Sequence, residues 1–233
     1  MVLIRYTAYF IGFSLLTWLI TQMEIVAPGS LKLLVYASPS DTLGTSEYSP
    51  VEVIQVAVLL VCGGLYTWVA MHCPSQRPIA IPFAGLAAIF IIRELDYFLD
   101  RFVADNLWQA IMAVIAAGLI AYTYRHRRRY RIAWLRIWPS PGITLLFAGA
   151  VLLFSFVRLI GHEPLWMAIL GDDYQRVVKL AVEEIMELSG YYFWMIGTIE
   201  YTYQARAIAM REPQPAAARR REGRRRQSES GQY

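Results

Sequence analysis

Apolar runs separated by short polar stretches organise this chain, and their lengths set its class. They fall near Tyr6–Ala27, Val51–Met71, Ile79–Leu99, Asn106–Tyr124, Pro141–Gly161 and Asp173–Arg206. A helix of about 20 residues crosses a hydrocarbon core, so each run is long enough to do so. The last is longer than a bilayer requires and is expected to tilt or project beyond the surface. The pattern predicts an all-α, polytopic membrane protein with six transmembrane helices in a bundle.

Start signals support these boundaries. Ser49-Pro50-Val51-Glu52 combines an N-cap, a proline at the first helical position and a capping-box glutamate. Ser140-Pro141 repeats the first two features, and Asp172 with Gln175 makes a weaker box before the last run. The first run exceeds the usual h-region of about 7–15 residues and lacks a small-x-small cleavage site, so it is expected to be a retained helix. The stretch Pro28–Ser49 is the one long loop, with Leu31–Ala37 a candidate interfacial segment.

Composition agrees. Of 233 residues, 57% are hydrophobic and 17% charged, against about a quarter charged in soluble domains. Mean hydropathy is +0.38. Cys62 and Cys73, eleven residues apart, lie roughly 16 Å apart on one helix. That is too far for a disulfide.

The net charge of +4 matters less than its distribution. Arginines crowd 125–136 and 206–226, while the opposite ends of the runs carry Glu24, Asp41, Glu47, Asp100, Asp105, Glu163, Asp172 and Asp173. With six spans, both arginine clusters and both termini share one side. The positive-inside rule assigns that side to the cytoplasm, and a bacterial inner membrane is the expected location. Residues 1–206 are read as the transmembrane domain and 207–233 as a disordered, basic cytoplasmic tail poor in apolar residues.

Charge inside the apolar runs is the candidate chemistry. Arg93 stands fourteen residues into the third run, roughly 21 Å along it. With Glu94, Asp96 and Asp100 it falls in the outer part of the membrane. Arg93, Asp96 or Tyr97, and Asp100 follow helical spacing and share one face. The sixth run carries Glu183, Glu184, Glu187 and Tyr191, with Gly190 able to admit a close neighbour. Glu52 and Gln55 open the second run, and Arg158 and His162 close the fifth. An ion at a helix centre costs about 2.5–3.5 kcal/mol on insertion scales. These groups must therefore pair or face water: Arg93 with Glu183 or Glu187, Arg158 with Glu184 or Asp96.

Acids outnumber bases even after pairing. That surplus suggests an outward-facing cluster handling protons, cations or a small polar ligand, in transport, permeation or sensing. A carboxylate-dependent membrane enzyme acting on lipid is an alternative, and an accessory or scaffold subunit of a membrane complex another. Of the three histidines, His72 and His126 fall at cytoplasmic helix ends, away from His162, which offers no three-histidine metal site. A bis-histidine haem would have only His72 and His126 at that edge, and no cofactor is expected. Expected partners are anionic lipid head groups at the arginine clusters and a homo-oligomer or larger complex, with no specific nucleic acid.

Overall fold

The computed structural model describes residues 2–26, 50–103 and 106–212. The expected loop at 28–49 and the tail from 213 onward lie outside them. Among the described residues every regular element is helical and there is no strand. In chain order these are α1 (Val2–Val26), α2 (Pro50–His72), α3 (Arg77–Glu94), α4 (Asp96–Phe102), α5 (Leu107–Arg125) and α6 (Arg127–Ile137). Then come α7 (Pro141–Val151), a π-helical turn (Leu152–Phe156), α8 (Val157–Ile160), α9 (Glu163–Leu170), a 3₁₀ turn (Gly171–Asp173) and α10 (Arg176–Arg211).

Four of these helices are long and apolar enough to cross a membrane: Leu3–Val26, Val51–His72, Leu107–Arg125 and Pro141–Ile160. The last is the composite of α7, the π turn and α8. In α5 no residue is buried, and Val114 and Ile120 stand 73% and 71% exposed. In α1 only Ile20 is buried among the described side chains. Apolar surface of this extent marks contact with a membrane or with another protein.

The interior is built differently. α10 runs through the middle, packed along α7 and α2, while α3 lies between α2 and α5. Tyr66, Phe83 and Tyr201 meet there with ring centroids 5.2–5.9 Å apart, and Phe90 stands edge-on to Tyr191 and Trp194. Glycines let α7 and α10 approach closely. A Cβ on Gly149 would lie 2.9 Å from the Gly190 carbonyl oxygen, and one on Gly190 would lie 2.6 Å from Leu153 Cγ. The small residue expected at 190 to admit a neighbour thus receives Leu153 of the π turn.

Caps divide into those made and those not made. Ser140 Oγ accepts from Ile143 N at 3.4 Å, and Pro141 opens α7. The weaker box before the last run does not form: Asp172 sits in the 3₁₀ turn, and Gln175 caps α10 without a side-chain hydrogen bond. Three further differences matter. The third run breaks at Leu95, whose N–H is shared between the Ile91 and Ile92 carbonyls, so α4 is a separate short helix. The fifth run is interrupted by the π turn. And α10 continues to Arg211, so residues 207–211 belong to the helix and not to a tail.

Candidate functional site

Three helices supply the charged cluster around Arg93, and α10 is its spine. Its carboxylates fan out because successive helical positions turn by about 100°. Glu187, nearly buried, faces α3, where its Oε1 accepts from Arg93 Nη2 at 2.6 Å. Glu183 faces α8: a Cβ on Gly161 would lie 2.4 Å from Glu183 Oε1, so glycine leaves room for the carboxylate. Its cation is Lys179, one turn earlier, at 3.2 Å. Glu184 faces α2.

The α3 side is closed by a second carboxylate. Glu94 lies 3.8 Å from Arg93 and accepts a 2.5 Å hydrogen bond from the Tyr191 hydroxyl. Glu94, Arg93, Glu187 and Tyr191 thus form one buried network in which each carboxylate has at least one strong donor. Arg93 keeps about a third of its side chain exposed (31%) while Glu94 and Glu187 expose 7% and 10%. The arginine is the network's edge and the carboxylates are its interior.

The α2 side is not closed in this way. Gln55 is fully buried, and its Nε2 donates to Glu184 Oε2 at 3.2 Å and to the Glu184 carbonyl at 3.4 Å. Gln55 Oε1 has no hydrogen-bond partner among the described residues. The amide orientation follows from the donation to the carboxylate, which leaves its oxygen without a donor. Among the described residues no cation lies within ion-pair distance of Glu184. Among the described residues, the carboxylates around the cluster, Glu94, Glu183, Glu184 and Glu187 with Glu52 acting on Glu184, outnumber the cations Arg93 and Lys179.

Other sequence candidates fall elsewhere. Asp100 was placed on the Arg93 face, but the break at Leu95 turns it toward α5. There it accepts from Asn106 N at 2.8 Å and Trp108 Nε1 at 3.0 Å, holding Asn106 at φ 61 ahead of that helix. Asp96 opens α4, half-buried. Arg158 and His162 are both exposed, and no ion pair joins Arg158 to Glu184 or Asp96 among the described residues. The turn at α8 that points them outward brings Gly161 to the cluster instead. Among the described residues no group of three or more His, Cys, Asp or Glu is arranged to hold a metal ion.

Sequence reasoning missed a second buried pair, at the other end of α10. Glu200, 2% exposed, accepts hydrogen bonds from Arg5 Nη2 at 3.0 Å and the Tyr9 hydroxyl at 2.9 Å, and Arg5 Nε lies at ion-pair distance, 2.9 Å, without a hydrogen bond. Tyr192 adds a hydrogen bond to the Tyr9 carbonyl at 2.7 Å. These bonds are the polar ties that hold α1 to α10. The available signal was the i,i+4 spacing of Arg5 and Tyr9, which puts both on one helix face. Between the two clusters, Thr198 donates to the Trp194 carbonyl and lies 2.7 Å from the Tyr66 hydroxyl. Comparison with protein families, curated proteins and solved structures gives no match for this chain.

Proposed function

We propose that this is a six-span membrane protein, with both termini in the cytoplasm of a bacterial-type inner membrane. Its outer cluster admits protons or cations to Glu184. The two spans beyond the four long apolar helices are α3 and α10. Each packs along apolar helices and carries its charges against protein, which is how intramembrane charges are tolerated. The arginine clusters then lie on the cytoplasmic side.

One observation carries the reading: Glu184 is held by the Gln55 amide nitrogen and, among the described residues, has no cation within ion-pair distance, while the buried oxygen of that same amide has no donor. Buried polar atoms are almost always satisfied, and here both groups at the gap are acceptors. What completes such a site is a donor or a positive charge: a proton, a hydronium or a small cation. The Arg93–Glu187–Glu94–Tyr191 network beside it is internally satisfied and serves as scaffold.

The test is flux in sealed vesicles. Purified protein in liposomes loaded with a pH-sensitive dye dissipates an imposed proton or sodium gradient faster than protein-free vesicles. Glu184→Gln, isosteric and neutral, slows this by about tenfold or more while the protein stays folded and monodisperse. Equal rates with and without protein under both gradients, or a Glu184→Gln rate equal to wild type, would overturn the reading.

A further inference from the structure

The junction of α5 and α6 carries the largest uncompensated charge in the described structure. Among the described residues no carboxylate lies within ion-pair distance of Arg125, Arg127, Arg128, Arg129 or Arg131. The neighbouring Arg136 is the exception, paired with Glu212. A concave surface at the junction is lined by Tyr124, Arg125, His126, Arg127, Arg128 and Arg129. His126 does not contribute a free donor at both nitrogens, because its Nδ1 lies 2.9 Å from the Tyr122 carbonyl.

A second concavity adjoins the first. It runs down α5 along Leu119, Ile120 and Thr123 and shares Tyr124 and Arg127 with the basic one. Arg127 stands over the Tyr124 ring with its guanidinium carbon 4.9 Å from the centroid, so a cation–π contact holds it at the boundary between the two. A basic hollow continuous with an apolar groove on a lipid-exposed helix has the amphiphilic profile of a phospholipid. On α6, Ile132 and Leu135 are exposed between arginines while Ala133 and Ile137 are buried against the bundle. That helix therefore has a second apolar side suited to lie at a head-group boundary.

We infer that the α5–α6 junction is a binding site for an anionic phospholipid, its phosphate held by Arg127, Arg128 and Arg129 and one acyl chain lying along Ile120. A soluble phosphate would engage the guanidiniums but has no use for the groove below them. The chain's own basic tail cannot neutralise this charge, since residues 218–226 are rich in arginine.

Native mass spectrometry of the full-length protein, titrated with phosphatidylglycerol or phosphatidylcholine of matched chains, tests this. Phosphatidylglycerol is retained at least tenfold more strongly. Each basic residue near a surface contributes roughly a fivefold factor, so Arg128→Gln with Arg129→Gln weakens phosphatidylglycerol by roughly 25-fold and phosphatidylcholine, whose choline offsets its phosphate charge, by much less. The double lysine variant at these positions retains most of the preference, which separates charge from fold. Millimolar inorganic phosphate does not displace the lipid. Equal retention of the two lipids, an unaltered glutamine variant, or full displacement by phosphate would each overturn the assignment, the last in favour of a soluble-anion site.

Discussion

Removing Arg93 probes the network that anchors α3 to α10. Arg93→Met keeps the length and apolar stem of the side chain but deletes the guanidinium. Glu187 and Glu94 are then left facing one another with no cation, each no more than 10% exposed. Breaking one partner of a buried pair costs about 3–5 kcal/mol. Two features of the site reduce this. Arg93 is about a third exposed (31%), so water or head groups screen part of the lost interaction. Tyr191 continues to donate to Glu94. Polar contacts inside membranes are also worth less than their burial suggests, about 0.6 kcal/mol on average and up to about 1.7.

The expected loss is therefore about 2–3 kcal/mol, a shift of roughly 30- to 150-fold in the folding equilibrium. Adding Glu187→Gln should recover about 1–2 kcal/mol of it, because the orphaned carboxylate is gone. Unfolding in mixed micelles with increasing denaturing detergent, followed by tryptophan fluorescence at neutral pH, measures all the corners of this cycle. An Arg93→Met protein within about 0.5 kcal/mol of wild type would refute the pairing. So would a double variant as unstable as the sum of the singles.

Two further predictions follow from packing and topology. Gly149→Val should destabilise by at least about 2 kcal/mol in the same unfolding assay. Its Cβ meets the Gly190 carbonyl at 2.9 Å and the Trp194 nitrogen at 3.0 Å, both backbone atoms of α10 that cannot yield; an unchanged midpoint would show that the α7–α10 seam can open. Reporter fusions at Arg131 and Asp172 should give opposite compartments, with Arg131 cytoplasmic, and finding both on one side would refute the six-span arrangement.

Much of the helical architecture was legible in the chain, because hydropathy and caps are local properties. Apolar length marked α2, α5 and the composite of α7 and α8, and Ser140-Pro141 marked where α7 begins. The presence of charge at Arg93, Glu94 and Glu187 was legible too, since a charge in an apolar run needs a partner wherever it sits. Which partner it found was not. The break at Leu95 turned Asp100 from the cluster to the start of α5, and no composition signal precedes it.

The same limit applies to the residues that sequence reasoning grouped or overlooked. The expected topology puts Arg158 and His162 level with the acidic cluster, but depth is one coordinate, and both side chains are exposed. Glu183, Glu184 and Glu187 lie within five residues of one another in the sequence. In the bundle they serve three helices, because α8, α2 and α3 surround α10 at different angles. Arg5 and Glu200 are 195 positions apart, and their pairing follows only from where α1 docks. The sequence by itself determined where the apolar helices fall and which of their positions carry charge. The tertiary structure decided which charges are paired, and left Glu184 with an amide but no cation, and the Gln55 amide oxygen with no donor, among the described residues. Satisfaction depends on distances between helices, which no single stretch of chain encodes.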